Sequence, residues 1–365
     1  MIPCLSCSHQ MNRRGFLRSM VLLGGGIVWH LFRGHVPAWA FSLISEEQER
    51  AMGRKAHEQI LAQFGYYQDA SLQAYVTQVG RRVLQESESS PFEFQFTIVN
   101  DPMVNAFAVP GGFVYVARGI LAELNSEAEL AVILGHEIGH VTSHHSAEQM
   151  TRALGTQLLT LGLAVLSPGG PQNAAGWTAI SSEISTQILL GYSQKAELEA
   201  DEKGLRAAVK AGYDPRQMID FLRGLEIQYR LSGIGYHALR ATHPEILERM
   251  DRDRVMIEIL TEKATGPLQV KADEYKARLD GMVYGKPGEK KEVRVIAAPG
   301  GGSVKDIAKA LWGTENRAWE LAMLNGIRDQ DAPLAAGEKI KMIYDPSEEP
   351  PPRFQDLSLS VRSVR

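Results

Sequence analysis

Cysteine is almost absent. The chain holds only Cys4 and Cys7, both ahead of any plausible mature domain. That excludes a disulfide framework and a zinc–thiolate site, and lack of cysteine is unremarkable in a domain this large even in an oxidising compartment. Long apolar runs are missing too. Ser19–Phe32 and Thr151–Leu166 both fall short of the roughly 20 residues that carry a helix across a bilayer. Nor is one sign of charge in excess: 39 Lys and Arg face 43 Asp and Glu, a net charge of -4. Nothing there supports a nucleic-acid partner or a polybasic membrane surface. What is present is 44% apolar content over 365 residues, enough for two or three units with an ample core.

The most informative stretch is His136-Glu137-Ile138-Gly139-His140. Two histidines four apart leave the same helix face and can grip one Zn2+. Glu137 projects just off that face, where it can take a proton from water activated by the metal. Ser126 followed by Glu129 fits a capping box, and Leu130, Ile133, Leu134 and Val141 form an apolar stripe, so the helix is expected to be buried. Two imidazoles and a carboxylate are costly to bury without a partner, and a metal removes that cost.

A catalytic zinc takes three protein ligands and keeps one open position. Downstream lies Glu197-Leu198-Glu199-Ala200-Asp201, in a helical pattern running from Glu183 to Ala211 and ending at Gly212. Glu197 can supply the third ligand, with Glu199 as second choice. Asp201, one turn on, can accept a hydrogen bond from a ligand histidine and fix its tautomer. The competing reading of such an acidic cluster is a solvated helix face. Histidines 144 and 145 read as helix-end residues, whose charge suits a C-terminal turn.

Between the start and the metal helix, Glu46–Phe64 and Ala70–Gln85 read as amphipathic helices, the first capped by Ser45. Phe92–Val99 alternates as a strand with one wet face. Asn105-Ala106-Phe107-Ala108-Val109 and Phe113–Val116 flank Pro110-Gly111-Gly112, two short strands around a turn. A strand there can dock substrate backbone as an added strand, or can be an ordinary hairpin. After the metal helix, Thr151–Leu166 reads as a core helix, and the Gly/Pro-rich 167–182 region as a connector or a lid.

The N-terminus reads as an export signal over residues 1–40: Arg13-Arg14-Gly15-Phe16-Leu17, then Ser19–Phe32, then Ala38-Trp39-Ala40. The paired arginines resemble the twin-arginine signal. The alternative is an uncleaved anchor. Met11 can serve as the start in place of Met1.

With these residues in view, the chain resembles the HtpX/CAAX prenyl protease family of zinc metallopeptidases, of the gluzincin type. Asn105–Gly112, His136–His140, Glu197 with Ala200 and Asp201, Ala211–Pro215, and Thr242-His243-Pro244 with Arg249 carry the likeness. The resemblance is to the soluble, periplasmic BepA-like branch. It implies one zinc per chain on His136, His140 and Glu197, Glu137 as general base, and substrate along Asn105, Ala106, Phe107 and Ala108. His243 and Arg249 match positions near the metal that gate the site or stabilise the transition state. Gln194 departs from the pattern, standing where the family often has arginine.

Beyond a charged, breaker-rich linker at 286–292, residues 293–345 read as strand, helix, helix, strand. With Leu324-Asn325-Gly326 and Leu334, this order resembles a LysM module, which implies peptidoglycan binding; the alternative is a structural appendage. The tail, 346–365, is Pro/Glu/Ser-rich and reads as disordered. The expectation is therefore an α+β chain: a mainly helical zincin-type protease domain over residues 41–285 with a small sheet, plus a βααβ LysM-like domain. It would be exported to the periplasm or envelope by the twin-arginine route, touching membrane only peripherally or through an uncleaved signal. There it would hydrolyse misfolded or unassembled envelope proteins. The rivals are a latent chaperone-like or peptidoglycan-binding protein and a hydrolase of peptidoglycan stem peptides.

Overall fold

The computed structural model describes residues 44–149, 192–219, 221–223, 246–286 and 288–348. The expected signal segment, the helix at Thr151–Leu166, the 167–182 loop, Thr242-His243-Pro244 and the tail beyond residue 348 lie outside the described residues.

Helix α1 (Glu46–Phe64) starts at Ser45, whose hydroxyl and backbone form a capping box with Gln48. Helix α2 (Ala70–Gln85) is capped by Asp69 and buries Leu72, Tyr75, Val76, Val79 and Val83, the stripe its sequence spacing predicts. Strands β1 (Gln95–Val99), β2 (Ala106–Val109) and β3 (Phe113–Ala117) form a sheet in the order β1-β3-β2. β1 runs parallel to β3, and β2 and β3 form an antiparallel hairpin. The hairpin turns at Gly111 (φ 84°) and Gly112 (φ 98°), a backbone that side chains resist and glycine adopts freely.

The expected wet face of the first strand is wet only in part: Glu93 and Gln95 are exposed, but Thr97 is as buried as its neighbours. The reason is α1. Its Met52, Ala56 and Ile60 cover the sheet face carrying Phe107, Val109 and Tyr115, while α2 and the metal helix cover the other. Helix α3 (Arg118–Glu123) leads into α4 (Glu127–Thr142), which crosses α5 (Gln194–Lys210). That crossing is unusually close because glycine lies on both sides. A methyl placed on Gly135 would sit 2.9 Å from the Gly204 oxygen, and one on Gly204 2.6 Å from the His136 nitrogen. Helix α6 (Ile246–Glu262) packs on α5.

Helix α7 (Ala272–Arg278) precedes a second sheet, β4 (Val283–Tyr284), β5 (Lys291–Ala297) and β6 (Lys339–Tyr344), antiparallel in the order β4-β5-β6. Helices α8 (Val304–Trp312) and α9 (Ala318–Leu324) lie between β5 and β6 and carry a separate core of Val304, Ile307, Leu311, Leu321 and Ile340. The strand–helix–helix–strand order expected for 293–345 is present. The stretch expected as a linker, 286–292, ends inside the sheet: Lys291 pairs with Tyr284, and Glu292 with Val283. Val293 belongs to the main core.

Candidate metal centre

The site rests on α4 and α5. Ser126 caps α4 by accepting from the Glu129 amide, but the Glu129 carboxylate reaches the Asn125 amide at 2.5 Å, so the expected box is only half made. Ser193 caps α5, which starts at Gln194, eleven residues after the expected Glu183 boundary; residues 183–191 lie outside the described residues. The close crossing then sets the first turn of α5 against the middle of α4.

Three donors converge there. The Nε2 atoms of His136 and His140 are 3.0 Å apart. Glu197 places Oε2 3.5 Å from the first and Oε1 3.6 Å from the second. All three side chains are buried and their ligand atoms lie within 4.8 Å of one another. A tetrahedral ion with bonds of about 2.0–2.1 Å spaces its ligand atoms by about 3.3–3.4 Å. The observed separations bracket that spacing, and two imidazoles with a carboxylate are a donor set that zinc accepts. The residues present fit the ion.

Each donor is held from behind. His136 Nδ1 lies 2.7 Å from Asp201 Oδ1, so the imidazole donates there and turns its Nε2 lone pair toward Glu197. Arg249, buried on α6, donates to both Asp201 oxygens at 2.6 and 2.7 Å and approaches Glu197 Oε2 at 3.1 Å. Its guanidinium is thus spent on positioning two carboxylates. Burial opposes ionisation of Asp201, but Arg249 and His136 overcome it and hold the carboxyl well below its ordinary range. Burial likewise opposes charge on Arg249, and Asp201 outweighs it and raises its pKa. Asp253, one turn after Arg249, is pushed up to about 7 by burial and by Asp201.

His140 is held by a residue that its sequence position alone did not reveal. His145 Nδ1 lies 2.9 Å from His140 Nδ1. Burial lowers the His145 pKa, so its neutral ring accepts the His140 proton and turns Nε2 toward Glu199, 3.7 Å away. Tyr192 stacks on His140 with ring centres 4.0 Å apart and bonds Ser146 at 2.7 Å. Glu199, the second choice as ligand, instead pairs with Lys203 at 3.0 Å and accepts from Ser143. His144 is a helix-end residue as expected, with φ 54° and a 2.8 Å contact to Glu49.

Glu137 is 2% exposed and, with His136, lines an apolar cavity of about 30 Å³ walled by Ile133, Met218, Phe221 and Leu222. Ala106 of β2 borders the same cavity. The Asn105 oxygen accepts from the Ala117 amide, so Asn105 and Phe107 face β3 and the backbones of Ala106 and Ala108 face outward. The Asn105 side-chain amide is fully buried, and neither of its polar atoms has a hydrogen bond. His243 lies outside the described residues.

Comparison with known proteins agrees with this geometry. Residues 70–254 match the model of peptidase family M48. The chain is 34% identical over 197 residues to the beta-barrel assembly-enhancing protease of Yersinia pestis, covering 52% of this chain and 40% of that one. It is 32% identical over 211 residues to the protein of that name in Escherichia coli K12, covering 56% and 43%. Against the mitochondrial metalloendopeptidase OMA1 of Schizosaccharomyces pombe it is 29% identical over 240 residues, covering 63% and 68%. The chain therefore spans less than half the length of the two bacterial relatives.

Proposed function

The chain belongs to peptidase family M48, and from that premise we propose that it is a zinc-dependent endopeptidase of the cell envelope. His136, His140 and Glu197 would hold the metal, and their convergence within 4.8 Å is the observation that carries the reading. When bound there, zinc supplies Lewis acidity for a peptide carbonyl and lowers the pKa of water.

The remaining chemistry belongs to the chain. Glu137 takes the proton of the attacking water and returns it to the leaving amine. Asp201 and His145 keep both imidazoles in the tautomer that offers Nε2. Arg249 keeps Asp201 ionised and aligns it with Glu197. The outward edge of β2 at Ala106 and Ala108 receives an extended substrate as a further strand. The unbonded Asn105 amide is available to that backbone, with Phe107 anchoring the strand from its other face. His243 is retained as a gating or oxyanion-stabilising group on the family match alone.

Room beside Glu137 amounts to about 30 Å³ among the described residues, a volume for a water molecule and not a peptide. Export by a twin-arginine signal at 1–40 and wall-glycan binding by the LysM-like 293–345 remain part of the proposal. The bacterial relatives are named for enhancing beta-barrel assembly, which is in keeping with the proposal that the substrates are unassembled envelope proteins.

Glu137→Gln tests the reading, with zinc content and casein cleavage measured on both proteins. The variant should keep one zinc and the fold yet lose cleavage by at least about 1,000-fold, toward the upper range for a general base. Wild-type protein without bound zinc, or undiminished cleavage by the variant, would refute it.

A further inference from the structure

The sheet has a second edge, on the side away from β2. Gln95 donates its amide to Gly112, so Phe94, Phe96 and Ile98 turn their backbones outward from β1. Most of that edge is plugged. The Gln73 side chain donates to the Phe96 oxygen at 2.8 Å and accepts from the Ile98 amide at 2.9 Å, and Tyr67 donates to the Ile98 oxygen. The plug ends there. Upstream, the Phe94 backbone makes no hydrogen bond among the described residues.

At that open end lies a cavity of about 640 Å³ bordered by Phe94 and Phe96, within the range of about 300–1,000 Å³ for ligand sites. Three arginines line it against one acid, Glu93. Arg50 is fixed in place by a 2.8 Å bond to the Pro91 oxygen and by the Phe92 ring beneath it. Arg54 and Arg81 are exposed and make no ion pair among the described residues. Arg50 also pairs with Glu46 at 3.6 Å, so on a chain of net charge -4 the uncompensated charge is that of Arg54 and Arg81, beside the unpaired backbone of Phe94 just upstream of β1.

We propose that this groove binds an extended, acidic polypeptide segment, which adds to β1 at Phe94 and places its carboxylates on Arg54 and Arg81. The open edge selects extended backbone, and the arginines select acidic side chains with bidentate geometry. Two strand spacings, about 10 Å, separate this edge from β2. The groove is thus an exosite on the same sheet as the proposed cleavage edge, and its binding does not depend on the metal.

The probe is a fluorescein-labelled decapeptide of alternating Asp and Val, titrated by anisotropy against the full chain carrying Glu137→Gln so that nothing is cleaved. Saturable binding is expected, weakened at least roughly tenfold by Arg54→Glu with Arg81→Glu, and by raised salt. Neither arginine has an ion-pair partner among the described residues, so circular dichroism should show the double variant folded. A Lys/Val decapeptide and a copy N-methylated at alternate amides should both bind at least about tenfold more weakly. The proposal is overturned if the acidic peptide does not bind or the double variant binds it equally. Equal binding of the N-methylated copy, or displacement by inorganic phosphate at matched charge, would reveal a plain anion patch and overturn it too.

Discussion

Asp201 touches both His136 and Arg249, and its charge is what lets those two coexist in a buried space. Asn in its place could still accept from His136 but would leave the guanidinium with only Glu197. Asp201→Asn should therefore cost about 3–5 kcal/mol of stability, the range for breaking a buried ion pair, and weaken zinc binding about 10–100-fold. Chelator competition and urea unfolding would measure both, and zinc affinity within twofold of wild type would contradict the account. The metal pair itself was legible in the sequence because its four-residue spacing is local to one helix. Asp201 was legible for the same reason, one turn from Glu197. His145 was not. Its contact with His140 requires the chain to fold back at His144, whose φ of 54° is one that few non-glycine residues adopt and that no spacing rule supplies.

Between elements, the decisive contact is backbone against backbone where α4 crosses α5. Gly135 faces Gly204, and Gly139 faces Ala200. With larger residues the axes would stand farther apart, and Glu197 would not reach the imidazoles. Gly204→Ala puts a methyl 2.6 Å from the His136 nitrogen, so the helices must part. The cost should be about 1–3 kcal/mol, as for other overpacked cores, and zinc affinity should fall with stability. Denaturation with and without zinc would show this as a reduced stabilisation by the metal; an unchanged zinc increment would refute the spacing argument. The sequence contained both glycines, yet nothing in either segment alone says that they meet. The same limit explains why Thr97 is buried at the end of an otherwise wet face. Alternation reports a strand, but α1, which precedes β1 in the chain by the whole of α2, covers that end of its second face. It also explains the expected linker at 286–292, where breaker residues precede a strand that β4 and β6 pair into a sheet.

At the scale of the whole molecule, the C-terminal sheet is built into the core that carries the candidate metal centre. Arg118 is fully buried and donates to the oxygens of Val283 and Gly285. Lys276 donates to the Lys339 oxygen. Lys341 is also fully buried, and its Nζ donates to the oxygens of Ala122 and Leu124 at 2.5 and 2.6 Å. Those carbonyls end α3, immediately before the metal helix, so Lys341 ties β6 to the start of α4. Burial, opposed by Glu123 and reinforced by Lys276, brings the Lys341 pKa down to about 7. A neutral amine has two N–H groups for the two carbonyls it faces, so deprotonation keeps both bonds and removes the buried charge. The folded pKa lies below the unfolded value of about 10.4. Between those values the unfolded chain holds the extra proton, and stability rises with pH. Lys341→Met would leave both carbonyls without this donor, at about 1–3 kcal/mol each at most, while abolishing that pH dependence. The wild type should therefore gain stability over Lys341→Met as pH rises from 7 to about 9.5, measured by urea unfolding at each pH. A difference that stays flat across this window would mean that Lys341 is charged in the folded protein and that the two parts are joined by hydrogen bonding to an ammonium.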